Sequence, residues 1–205
     1  MKKRTILMSV VALALSVAAI GFTAADSPVE GRPGRAEVRF LEGMIDHHQM
    51  ALDMANDCLG KATTETVQTL CQDIITAQTA EITIMQTWLL DWYNVQYAPV
   101  PMTEMEGMDH STMQMDENAP VTDPPMMMGM MAGLARLEGQ EYEVAFLESM
   151  IDHHDDAIHM SERILENAPE GVSHAELREM AQTIIADQTA EIEKMEGMIT
   201  ELSAA

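Results

Sequence analysis

From Phe40 onward the apolar residues return every three or four positions. Phe40, Met44, His47, His48, Ala51, Met54 and Ala55 form one stripe, while Glu37, Glu42, Gln49, Asp53 and Asn56 fall largely elsewhere. That period belongs to a helix with one face turned inward and predicts a helix from about Ala36 to Leu59. Gly60 is a suitable stop, and Thr64 a suitable start for a second helix reaching about Trp92. The stripe of this second helix is Ile74, Ile75, Gln78, Ile82, Met85 and Leu89. No stretch shows the sustained apolar alternation of a β-strand, so the pattern is all-α.

The pattern occurs twice. Phe40-Leu-Glu-Gly-Met-Ile-Asp-His-His-Gln-Met-Ala-Leu-Asp-Met54 returns 106 residues later as Phe146-Leu-Glu-Ser-Met-Ile-Asp-His-His-Asp-Asp-Ala-Ile-His-Met160. The segment Gln72 to Met85 returns as Gln182 to Met195 at an offset of 110, and the extra residues fit a longer turn marked by Pro169 and Gly171. The second stripe reads Phe146, Met150, His153, His154, Ala157 and Met160, then Ile184, Ile185, Gln188, Ile192, Met195 and Ile199. Two repeated helical hairpins, 36–92 and 126–203, predict one four-helix bundle domain over 36–203.

Between them, residues 93–125 change character. Pro99, Pro101, Pro120, Pro124 and Pro125 argue against a helix. Met102, Met105, Met108, Met113 and Met115 surround His110 where there is no obvious core to fill, which removes the usual packing reason for methionine. Met126, Met127, Met128, Met130 and Met131 follow, placed to begin or cover the third helix.

The chemistry lies in the repeated motif. Met44 precedes His47 by three residues, Met50 follows it by three and Met54 by seven, and Met150 and Met160 flank His153 and His154 in the same manner. These spacings return to one side of a helix. Adjacent histidines are 100° apart, so one of each pair is central in a binding face while its neighbour flanks it. Imidazole nitrogen with thioether sulfur is a copper donor set: thioethers favour Cu(I) and Ag(I) and serve Mg²⁺, Ca²⁺ or Mn²⁺ poorly, and imidazole accepts both copper oxidation states. Zinc would suit the histidines but leaves the methionines unexplained.

Composition narrows the setting. Lys2, Lys3 and Arg4 precede an apolar run from Ile6 to Ile20, and Thr23-Ala-Ala25 offers a cleavage site, so residues 1–25 read as an export signal and the mature chain as periplasmic or secreted, without a membrane span. The formal charge of −23 repels nucleic acid and anionic lipid. Cys58 and Cys71 lie symmetrically about the first turn, which favours a disulfide across the hairpin; a pair of thiolate ligands is the alternative. The matching positions of the second copy are Ile164 and Ala181, so the repeat does not require the pair.

No Gly-rich phosphate loop, nucleophile elbow or His-Glu-x-x-His helix occurs, and the chain reads as a binding protein rather than an enzyme. A ferritin-type di-metal oxidase needs Glu-x-x-His, whereas Met44, Ile45, Met150 and Ile151 stand three residues before the histidines. Glu81 and Glu191, repeated in the second helices, suit capping, surface pairing or support of a histidine. Asp46 and Asp152 suit either orientation of an imidazole or exposed helix polarity. A methionine-rich interaction module without metal remains the alternative from a different class.

Phe-Leu-x-x-Met-Ile-Asp-His-His-x-x-Ala-x-x-Met, followed in each unit by Gln-Thr-Ala-Glu-Ile-x-x-Met, resembles the CopM-like family, domain of unknown function 305. The resemblance implies a ferritin-like bundle, export, and binding of copper and silver through Met44, His47, His48, Met54, Met150, His153, His154 and Met160, with Met85 and Met195 from the second helices. Gln49-Met50 stands where the second copy has Asp155-Asp156, so the two units need not bind equally. The expectation is an exported protein that sequesters or carries Cu(I), with Cu(II) and Ag(I) also within its range, in copper homeostasis or resistance. Its partners would be the metal ion and a periplasmic copper-handling protein.

Overall fold

The computed structural model describes residues 27–99 and 130–204. The export segment and the Met/His run from Met102 to Met115, with His110, lie outside the described residues. Four long helices run α1 (Gly31–Lys61), α2 (Glu65–Tyr93), α3 (Gly139–Asn167) and α4 (Ala175–Ser203). The described residues contain no strand, and no helix among them is long and apolar enough to cross a membrane.

Each hairpin packs its two helices antiparallel, and α1 packs directly against α3. The core divides into two clusters. One joins the first half of α1 (Phe40, Met44) to the last half of α2 (Met85, Leu89), the last half of α3 (Met160, Ile164) and the first half of α4 (Leu177, Ile184). The other joins the complementary halves through Ala51, Met54, Ile74, Phe146, Met150 and Met195. This exchange of halves makes α1 and α3 antiparallel, and the adjacent histidines lie between the clusters. The inward stripes are buried as their period requires, with Ile75, Ile185, Ile192 and Ile199 half-buried at their edges.

Several boundaries differ from the sequence expectation. Helix α1 begins at Gly31, five residues early, and continues through Gly60 to Lys61. Gly60 therefore does not stop it; Ala62 turns extended while its N–H still reaches Cys58 O, and Lys61 pairs with Asp57 across the last turn. Within the expected second unit, the described residues from 130 are helical through 134 and then turn, and α3 starts at Gly139, whose φ of 58° suits glycine. Met130 and Met131 thus pack over the second cluster instead of opening the helix. At the end of α2, Asn94 takes the left-handed conformation and Val95 N–H reaches back to Leu89 O, which reverses the chain. The start of the expected linker consequently folds onto the bundle: Val95 and Tyr97 pack against the first cluster.

Cys58 and Cys71 form the expected disulfide, with Cα atoms 6.3 Å apart and a sequence separation of 13. Closing a loop of that size restricts the unfolded chain by about 3 kcal/mol.

Glu37 overturns its assignment to the polar face, being fully buried, as is its repeat equivalent Glu143. Glu143 of α3 accepts Thr63 N–H (2.6 Å), Thr64 N–H (2.7 Å) and both threonine hydroxyls at the start of α2. Glu37 of α1 accepts His174 N–H (2.9 Å) and His174 Nδ1–H (2.6 Å) at the start of α4, and also the Tyr93 hydroxyl. Each carboxylate therefore caps the second helix of the other hairpin, satisfying exposed helix N–H groups and meeting the positive end of the dipole. This explains why neither Thr64 nor His174 caps with its own side chain.

Candidate metal centre

The two His-His pairs meet where α1 crosses α3. His47 and His153 are 2% and 3% exposed, and their rings stand 3.7 Å apart with a tilt of 36°. His48 and His154 are completely buried and turn outward toward the second helix of their own hairpin. The 100° step between neighbours on a helix is thus realised twice, with one central and one flanking imidazole per repeat.

Hydrogen bonds fix three of the rings. His48 Nε2–H donates to Glu81 Oε2 at 2.6 Å, His154 Nε2–H donates to Glu191 Oε2 at 2.7 Å, and His153 Nε2–H donates to His47 O at 2.9 Å. A neutral ring that donates through Nε2 carries its lone pair on Nδ1, and Nδ1 of all three is buried without a partner. Both nitrogens of His47 are also unpartnered. A carboxylate or carbonyl holding one nitrogen while the other stays available is the arrangement that orients histidine for a metal.

Electrostatics keep the central pair neutral. Burial, followed by the imidazoles of His153, His48 and His154, pushes His47 well below the usual histidine range. Burial, then His154 and His48, does the same to His153. Two rings this close and this dry cannot both hold protons, so both present lone pairs at neutral pH.

Six of the candidate methionines lie in the two core clusters. Met44, Met54, Met85, Met150 and Met195 are fully buried, and Met160 is 6% exposed. Met44, Met85 and Met160 share one cluster, while Met54, Met150 and Met195 share the other. Each thioether group therefore draws on both repeats. Among the described residues no three His, Cys, Asp or Glu side chains converge as a metal-holding group.

Not every expected residue joins this centre. Met50 is half-buried beside the second cluster, and its equivalent Asp156 is exposed. Asp46 does not orient an imidazole: its Oδ2 accepts the Tyr97 hydroxyl at 2.5 Å. Asp152 is exposed. Glu81 and Glu191 do support histidines, one of the roles their repetition suggested. Gln78 and Gln188, read only as stripe residues, are buried with unpartnered amide oxygens. The buried glutamates had a sequence signal as well, since Glu37-Val-x-Phe40 returns as Glu143-Val-x-Phe146.

The profile described as Domain of unknown function (DUF305) matches residues 37–199. The chain belongs to that family. It is similar to CopM in its Cu(II)-bound form at 30% identity and a TM-score of 0.59, over 80% of this chain and 96% of that one. The Cu(I)-bound form of CopM matches at 27% identity and a TM-score of 0.60 with the same shares of each chain. A DUF305 fragment from Deinococcus radiodurans is 28% identical, with a TM-score of 0.60, over 81% of this chain and 96% of that chain. No curated protein sequence matches.

Proposed function

We propose that this chain is an exported, non-enzymatic copper-binding protein that sequesters or carries Cu(I), and also holds Cu(II) and Ag(I), in copper homeostasis or resistance. The observation that carries the reading is the cross-repeat imidazole layer. Its rings offer oriented, unpartnered nitrogens inside the core, and buried thioethers lie on both sides. Burying such nitrogens without a partner is unfavourable, which a ligand would reverse. The donor set suits copper, and the similarity to CopM, solved with Cu(II) and Cu(I), supports the same cargo here. The disulfide agrees with an oxidising compartment. The Met/His segment around His110 would offer the same donor types to capture metal and deliver it to the bundle or to another copper-handling protein.

The test is an anaerobic Cu(I) titration of the full chain against a chromophoric competing chelator. Replacing His47, His48, His153 and His154 together should remove the bundle's share of bound copper. Changing Met102, Met105, Met108, Met113 and Met115 to leucine should reduce capture while leaving the bundle's share. If both variants bind like the parent, the assigned residues are not the ligands; if the parent does not compete, the interaction-module reading replaces this one.

A further inference from the structure

Gln78 of α2 and Gln188 of α4 are equivalent in the repeat, and both face the core. They are 3% and 4% exposed, and Oε1 of each is buried without a hydrogen-bond partner. Two equivalent orphaned oxygens beside a ligand-rich layer are not explained by packing, because a leucine would fill such space without stranding an acceptor.

Fixed pairs give their level in the bundle. The Cys58–Cys71 bond and the His48–Glu81 bond lie ten residues apart along both α1 and α2, so these helices keep one antiparallel register. On it Met44 is level with Met85, and Ala51 with Gln78. The His154–Glu191 bond sets the second hairpin likewise, with Met150 level with Met195 and Ala157 with Gln188. Between the hairpins, the His47–His153 stack and the Tyr142–Asp57 hydrogen bond of 2.9 Å align α1 with α3. That alignment brings the Met44 level to Ala157 and the Met150 level to Ala51.

Packing agrees with the registers. Met44, Met85 and Ala157 belong to one cluster; Met150, Met195 and Ala51 belong to the other. At each of these two levels, one on either side of the imidazole layer, one hairpin therefore contributes two buried thioethers. The other contributes an alanine, which leaves room, and an unpartnered amide oxygen.

We propose that Gln78 and Gln188 are specificity-determining residues of the metal centre, each supplying the hard oxygen donor that lets its level hold Cu(II), while the thioether pair and imidazole suffice for Cu(I). The inference rests on the copper-binding reading above. It follows from donor softness: thioethers match Cu(I), whereas Cu(II) favours nitrogen and oxygen. It also gives the centre two equivalent binding levels, one on each side of the histidines.

The experiment titrates the full chain, with the five linker methionines already changed to leucine, against competing chelators for Cu(II) in air and for Cu(I) without oxygen. Gln78→Leu with Gln188→Leu should weaken Cu(II) binding by about 10- to 100-fold and leave Cu(I) binding unchanged. Gln78→Met with Gln188→Met, closer in shape, should show the same Cu(II) loss with Cu(I) affinity equal or tighter, and guards against misfolding of the leucine variant. Unchanged Cu(II) affinity, or equal loss for both ions in the methionine variant, overturns the proposal. A parent that binds neither ion contradicts the copper reading instead.

Discussion

Replacing His47 and His153 with leucine is expected to make the metal-free bundle more stable by about 1–3 kcal/mol while abolishing the stabilisation that copper gives the parent. The opposite signs follow from one feature. Both nitrogens of His47 and Nδ1 of His153 are buried without partners, so leucine removes desolvated polar atoms from a core that has nothing to offer them. The same nitrogens are the proposed ligands, so the stabilised variant loses its cargo, a stability–function trade-off of the familiar kind. Denaturant unfolding with and without Cu(I) measures both effects.

The same pair gives metal-free stability a pH dependence. Folded His47 and His153 are held well below the ordinary histidine range, so between that range and their folded values the unfolded chain binds more protons. Stability is then present above about pH 6.5 and is lost as pH falls, by at most about 1.4 kcal/mol per pH unit for each imidazole. The leucine variant should lack that slope. A variant less stable than the parent at neutral pH, or one with the parent's slope, contradicts this account of the centre.

Glu143→Ala carries the second large effect, an expected loss of about 3–5 kcal/mol. The carboxylate is the acceptor for two backbone N–H groups and two hydroxyls at the start of α2, and alanine removes the partner of all four at the junction between hairpins. Its pH signature has its own sign. Burial pushes the Glu143 carboxyl up, but the hydrogen bonds from Thr64 and Thr63 outweigh it and hold the group below the usual carboxylate range. That contribution is complete above about pH 4.3 and is lost as pH falls toward the folded value. Urea unfolding of Glu143→Gln should show a flattened acid limb. Copper binding at neutral pH should survive in the glutamine variant, because Glu143 stabilises the frame and touches no proposed ligand.

The helices, their pairing and the burial of most candidate ligands were legible because the repeat states them twice. The three-four stripe placed Met44, His47, His48 and Met54 on one face, and the structure buries all four. What a single stripe cannot supply is the exchange between repeats. Antiparallel packing of α1 on α3 groups Met160 with Met44 and Met54 with Met150, a relation set by crossing geometry rather than by local spacing. Glu37 escaped for a related reason: a carboxylate is ordinarily placed on the polar face, and only the N-terminus of α4 arriving from the other hairpin makes its burial favourable. Met50 erred in the opposite direction. Its spacing from His47 is correct for a shared side, but its place at the edge of the stripe leaves it half-buried.

The most direct test of a mixed nitrogen and sulfur centre in the bundle is X-ray absorption at the copper edge. The sample is the Cu(I)-loaded full chain with Met102, Met105, Met108, Met113 and Met115 changed to leucine and His110 to alanine. The expected spectrum contains both imidazole and thioether scatterers, with the imidazole component lost when His47, His48, His153 and His154 are also replaced. Copper that shows sulfur alone before that replacement, or a spectrum the replacement leaves unchanged, would contradict a centre built on the paired histidines.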